Sequence, residues 1–143
     1  MLNNNVTEKK TKDNIVELHI KDPGFSVTEA FNTLRTNIMF SGENIKTVMV
    51  TSTNPAEGKS FVAMQLAKSF ADINKKVVYI DCDLRKSVTL SRYKIRGKRV
   101  GLTEYITGQK SQLIYETNIP NLAVILSGHV VPNPIELMES KKF

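Results

Sequence analysis

Hydrophobic positions along this chain alternate between two periods, and the alternation predicts an α/β fold. From residue 26 the apolar residues Ala30, Phe31, Leu34 and Ile38 recur at three- and four-residue spacing, the repeat of one helix face. Ser26 and Glu29 stand ahead of them at capping-box spacing, and Gly42 ends the run. Then the period shortens: Thr47-Val48-Met49-Val50-Thr51 is a β-branched run that predicts a buried strand. Val62, Ala63, Leu66, Ala67 and Phe70 return to the helical repeat, and Val77-Val78-Tyr79-Ile80-Asp81 predicts a second buried strand. Strand, loop, helix, strand implies parallel pairing through a right-handed crossover. Farther on, Leu102, Tyr105 and Ile106 predict a short helix stopped by Gly108, and the run from Asn121 to Leu126 predicts a third strand. Asn133-Pro134-x-Glu136 predicts a final helix with Asn133 as its cap. Residues 1–25, rich in Asn, Lys, Thr and Asp, read as a flexible arm, which leaves 26–143 as one domain.

Composition narrows the class. A chain of 143 residues with 41% hydrophobic and 24% charged residues suits one ordinary globular domain. No apolar run approaches the roughly 20 residues that cross a bilayer. The polar start MLNNNVTEKKTK lacks the apolar stretch of a signal peptide, so a cytoplasmic protein is expected. Cys82 stands alone, which excludes an internal disulfide, and His19 and His129 form no metal-ligand spacing with it. The net charge of +6 is local: Arg85, Lys86, Arg92, Lys94, Arg96, Lys98 and Arg99 occur with no acid among them, leaving the rest near neutrality. That patch is either a footprint for nucleic acid or membrane, or a solvated loop.

The candidate chemistry lies between the first strand and the following helix, at Ser52-Thr53-Asn54-Pro55-Ala56-Glu57-Gly58-Lys59-Ser60. A protein holds a triphosphate with inward-aimed backbone amides and the positive end of a helix dipole. Gly58 lets the backbone approach the phosphates, Lys59 reaches the β- and γ-phosphates, and the Ser60 hydroxyl is the natural Mg²⁺ ligand. Thr53 occupies the position where the general phosphate-loop pattern has its first glycine, but strand and helix flank the motif as its mechanism requires. At the end of the second strand stands Asp81-Cys82-Asp83-x-Arg85. Carboxylates at strand ends of an open parallel sheet face its ligand crevice. There they would hold Mg²⁺ through water or accept a proton from an attacking hydroxyl. Taken alone, the same spacing also makes a turn or a surface ion pair.

Together these segments resemble the bacterial tyrosine kinases of capsule and exopolysaccharide synthesis, which are P-loop NTPases with a parallel sheet flanked by helices. The family's phosphate loop, a hydrophobic strand then S-x-x-P-x-E-G-K-S, is matched by Ser52, Pro55, Glu57, Gly58, Lys59 and Ser60, and its D-x-D-x-R motif by Asp81, Asp83 and Arg85. Weaker matches run from Gly101-Leu102-Thr103 to Gly108 and from Gly128 to Leu137. The resemblance implies an ATP- and Mg²⁺-dependent protein-tyrosine kinase. Ser52, Asn54, Pro55, Ala56, Glu57, Gly58, Lys59, Ser60 and Phe61 would bind the nucleotide, and Ser60 and Asp83 would hold the metal. Lys59, Asp81, Asp83 and Arg85 would form the catalytic set, with Asp81 as base for the tyrosine hydroxyl. A separate membrane adaptor of the polysaccharide co-polymerase type would bring the protein to the inner face of the membrane, and no nucleic acid is expected.

The family's E-x-x-R-x-x-R helix, which joins subunits into a ring, is Glu29-x-x-Asn32-x-x-Arg35 here. Glu29 and Arg35 thus either serve a weakened homo-oligomer or are a cap and a solvent-facing charge. The family's third acidic motif and its C-terminal tyrosine cluster find no match, so the chain reads as a fragment lacking the later strands, marginally folded and poor as a kinase by itself. The same fold also serves partitioning and septum-positioning ATPases, which the basic patch would suit. Those carry a second lysine early in the loop, and positions 52 to 57 have none. A non-catalytic nucleotide-binding remnant is the third reading.

Overall fold

The computed structural model describes residues 14–42, 44–97, 99–109 and 113–143. Lys98 and the first thirteen residues of the expected arm lie outside the described residues. In chain order the elements are β1 (Ile15–Val16), α1 (Phe25–Ser41), α2 (Lys59–Ala71), β2 (Val77–Ile80), α3 (Thr89–Arg92), α4 (Leu102–Ile106), β3 (Tyr115–Thr117), β4 (Leu122–Ile125) and α5 (Pro134–Met138). The strands form one sheet in the order β1-β3-β4-β2. β1 pairs with β3 in parallel, Ile15 opposite Glu116, and β3 pairs with β4 antiparallel, Tyr115 opposite Val124. The α/β class is as expected, and β3 makes the sheet mixed. The chain divides into two compact units: residues up to His19 with Ile80–Asn118 and Ala123–Phe143, and Ile20–Tyr79 with Ile119–Leu122.

In the first unit the core gathers Leu84, Leu102, Ile106 and Ile125, with Tyr105, Leu113, Val131, Leu137 and Met138 packed against it. α4 and α5 thus lay their apolar sides on one cluster. Backbone bonds fix the start of α4 to the end of β4: Leu102 N donates to Leu126 O at 2.8 Å and Thr103 N to Ser127 O at 3.0 Å. The Glu104 carboxylate, 5% exposed, accepts from the amides of Gly101 (2.7 Å) and His129 (3.0 Å) and contacts His129 Nδ1. Burial alone would raise this carboxyl. The His129 side chain and the Gly101 and His129 amides together hold it below the usual carboxylate range.

In the second unit α1 and α2 pack together. Phe31 and Phe61 meet edge to face with centroids 6.1 Å apart, and Arg35 Nη1 donates to Ser69 O at 2.7 Å. α2 buries Met64, Leu66, Ala67 and Ala71; of the face its period predicted, Leu66 and Ala67 are buried while Val62, Ala63 and Phe70 are half-buried. Val77 N donates to Asn121 O at 2.8 Å.

Four expectations are corrected. Residues 47–51 form no strand, and Val48 and Met49 are 46% and 85% exposed. β-branching suits a residue to a pleated, half-buried surface, but a strand exists only where a neighbour pairs with it. The arm expected over 1–25 contains β1, and Val16 and Leu18 are buried at 0% and 3% exposure. Its polar composition hid a two-residue strand whose partner lies far along the chain. The capping box at Ser26 and Glu29 does not form. α1 starts one residue earlier, behind Gly24 at φ 87, and Glu29 turns to Asn32. The apolar face expected of α1 buries only Phe31, and Leu34 is 38% exposed.

Candidate functional site

The phosphate-loop motif folds as a chain of turns leading into α2. Ser52 Oγ donates to Asn54 O at 2.9 Å. The Glu57 carboxylate clamps the turn from the other side, accepting from Asn54 N at 3.1 Å and from Asn54 Nδ2 at 2.9 Å. Those bonds, the Asn54 side chain first and its amide next, lower the Glu57 carboxyl below its ordinary value. Ala56 has φ 64, and Gly58 has φ 92 and ψ 7, the left-handed geometry, as the residue that caps α2. Lys59 and Ser60 open the helix and are half-buried, and Val62 N closes its first turn on Gly58 O at 2.9 Å. All of these residues belong to one compact unit, as do Pro55 and Phe61.

This geometry fits a phosphate group. The first turn of a helix leaves amides without intrahelical acceptors and carries the positive end of its dipole. At Gly58 a Cβ would meet no atom within 4 Å, so space for a ligand adjoins the backbone where the helix begins. Asn54 and Glu57 are the side chains that hold the loop, and the motif alone did not assign them that work.

Asp81, Asp83 and Arg85 lie in the other unit. Asp81 is 4% exposed, and its amide donates to Ile125 O at 2.9 Å, which anchors it at the sheet end. One oxygen accepts from Asp83 N at 3.1 Å, and the other is bonded by the Ser87 hydroxyl. Asp83 Oδ1 accepts from Lys86 N at 2.9 Å and Arg85 N at 3.3 Å, so the second carboxylate organises the turn behind the first. Arg85 itself is exposed. Ser87 is the residue that sequence reasoning missed, because a hydroxyl six positions from its carboxylate belongs to no fixed motif. Cys82 is exposed as a residue, yet partial desolvation and then the Asp81 charge push its thiol up. It therefore stays a neutral thiol.

Glu29 and Arg35 are joined inside α1 rather than left open. Asn32 Nδ2 donates to Glu29 Oε1 at 3.0 Å, and Arg35 Nη1 donates to Asn32 Oδ1 at 3.0 Å as well as to Ser69 O. Asn32 thus bridges the two charges. Among the described residues no helix is long and apolar enough to cross a membrane.

No protein-family model matches the chain. Over 117 residues it is 46% identical to the tyrosine-protein kinase CpsD of Streptococcus pneumoniae serotype 4, covering 80% of this chain and 52% of that protein. The kinase domain of the Escherichia coli tyrosine kinase ETK superposes with a TM-score of 0.73 at 34% identity, over 81% of this chain and 47% of that one. The chimerical protein CapA2B2 superposes with a TM-score of 0.75 at 28% identity, over 90% of this chain and 61% of that one. The chain thus spans about half the length of the curated relatives it matches.

Proposed function

We propose that this chain, a homologue of the bacterial tyrosine-protein kinases over about half of their length, supplies the nucleotide-binding part of an ATP-dependent protein-tyrosine kinase of capsule or exopolysaccharide synthesis. The observation that carries the proposal is the left-handed Gly58 in front of Lys59 and Ser60 at the start of a 13-residue helix. That is where a triphosphate would be held by helix amides and by the Lys59 ammonium. Ser52, Asn54, Pro55, Ala56, Glu57 and Phe61 would shape the rest of the cradle, with the Asn54–Glu57 clamp keeping the loop preorganised. Ser60 and Asp83 offer the oxygen donors that suit Mg²⁺. The bound metal would offset charge developing on the transferred phosphoryl group.

Asp81 is the proposed base. It would take the proton of the tyrosine hydroxyl as the phenolic oxygen bonds the γ-phosphorus and ADP leaves. To do so it exchanges the Ser87 hydroxyl for that of the substrate. Arg85 would stand near the transferred charge. On this reading residues 26–143 are the first part of the kinase domain, and a separate membrane adaptor brings it to the inner face of the membrane. Assembly through Glu29 and Arg35 would first have to release the Asn32 bridge.

The test is direct binding of MgATP, followed by phosphotyrosine formation on a tyrosine-containing substrate in the presence of the adaptor's cytoplasmic tail. Lys59→Ala should reduce MgATP affinity by about tenfold or more, since a charge-assisted contact to phosphate is lost. Undiminished affinity in that variant defeats the proposal.

A further inference from the structure

We propose that the basic groove beside β1 is a docking site for a phosphotyrosine side chain carried on a polypeptide. The source of that ligand rests on the kinase reading; its chemistry rests on the groove alone. The groove, about 220 Å³, is lined by Ile15, Glu17, His19, Lys94, Ile95, Arg96 and Arg99. Its floor is one face of an extended segment. Val16 and Leu18 point into the core, so Ile15, Glu17 and His19 point out, at the two-residue period of extended chain.

The wall comes from the basic stretch after α3. His19 N donates to Tyr93 O at 3.0 Å, and Arg99 Nη2 reaches Ile15 O at 3.5 Å. These contacts occupy the floor's edge, which argues against an added strand and for a side chain as the guest. Arg99 is held over the Tyr115 ring, 5.6 Å from its centroid, and the Tyr115 hydroxyl accepts from Val100 N at 3.0 Å. Lys94 and Arg96 are exposed, and neither has an ion-pair partner among the described residues.

Three cations on an otherwise open wall call for an anion with several acceptor oxygens. An arginine fork meets a phosphate dianion with two parallel hydrogen bonds, and clusters of arginine are a recurring way to read phosphorylated side chains. Ile15 and Ile95 add apolar surface that a free phosphate or a lipid headgroup would leave unused and a phenyl ring would cover. Glu17, whose carboxylate is 3.7 Å from His19 Nε2, opposes the anion. It offsets only part of the surrounding positive charge.

Calorimetric titration of the 143-residue chain with synthetic peptides tests the site without any turnover. The phosphotyrosine peptide should bind about tenfold or more tighter than its unphosphorylated counterpart. The Lys94→Gln/Arg96→Gln double variant, changed at exposed positions and checked by circular dichroism, should lose that advantage. Ile95→Ala should weaken phosphotyrosine more than phosphoserine. Equal affinity for the two tyrosine peptides, or an advantage that survives the double variant, overturns the inference. So does binding of inorganic phosphate or of phosphatidylserine vesicles as tight as that of the phosphopeptide. MgATP binding is measured in parallel. Its loss with phosphopeptide binding retained defeats the kinase reading alone, and the reverse outcome defeats this inference alone.

Discussion

At the junction of α4 with the end of β4, Gly101 is required by space alone and Gly128 by space as well as by its φ of 86; in the phosphate loop Gly58 is required by backbone angle. A Cβ on Gly101 would lie 2.2 Å from the Gly128 amide nitrogen and 2.4 Å from Leu126 O, and one on Gly128 would lie 2.3 Å from a Glu104 carboxylate oxygen. A Cβ on Gly58 would touch nothing. The first region is closed: backbone, carboxylate and hydroxyl groups meet with their hydrogen bonds made, and Thr103 Oγ1 reaches both Ser127 O and His129 O. The second is organised by local turns and keeps open space at Gly58. Glycine in the closed region lets segments touch, whereas glycine in the open one sets a backbone angle beside empty space.

The contrast breaks hardest at Gly101. Gly101→Ala drives a methyl group into two backbone segments and should cost about 3 kcal/mol or more, read as a large drop in the urea midpoint. An unchanged midpoint would mean the junction is looser than described. Next comes Glu104→Gln, which puts an amide group among donors and leaves buried N–H groups short of an acceptor, at about 2 kcal/mol. The same variant has a pH signature. Glu104 titrates lower folded than unfolded, so its stabilisation is present above the unfolded carboxylate range and fades as pH falls through the folded value. Stability measured against pH should lose that acidic step in Glu104→Gln; a step that persists belongs to another group.

In the open region the effects shrink. Gly58→Ala should cost about 1 kcal/mol, since only the left-handed angle is penalised. Nucleotide affinity should fall further than stability does. Ala56→Gly, relieving φ 64, should be neutral or stabilise by less than about 1 kcal/mol. Met49→Ser, at 85% exposure, should stay within about 0.5 kcal/mol by thermal melting. A larger loss there would show that residues 47–51 pack against something.

Local signals were readable in the sequence, and distant pairings were not. The Gly58-Lys59-Ser60 helix start, the extent of α2, the position of the strand at Val77–Ile80 and the Pro134 helix entry each follow from neighbours within a turn or two, although that strand, expected to be buried, leaves Val78 and Ile80 exposed. β1 and β3 were invisible because each is two or three residues long and is defined by pairing, β1 with β3 and β3 with both β1 and β4. Thr47–Thr51 misled for the converse reason, having strand composition without a pairing partner. At the site the motif named Asp81 and Asp83, while the Ser87 hydroxyl and the Asn54–Glu57 clamp depend on turns whose geometry no residue spacing specifies.

The bond from Leu18 N to the Asn118 side chain, 2.7 Å long, joins residues 100 positions apart, and Asn118 Nδ2 returns a second bond to Leu18 O. During synthesis on the ribosome the segment from Ile15 to Leu18 therefore has no docking place until Asn118, 100 positions after Leu18, has emerged. At about 5–20 residues per second it waits for several seconds, with Val16 and Leu18 uncovered. Chaperone traffic on the nascent chain would concentrate in that interval, and it would end when β3 leaves the exit tunnel.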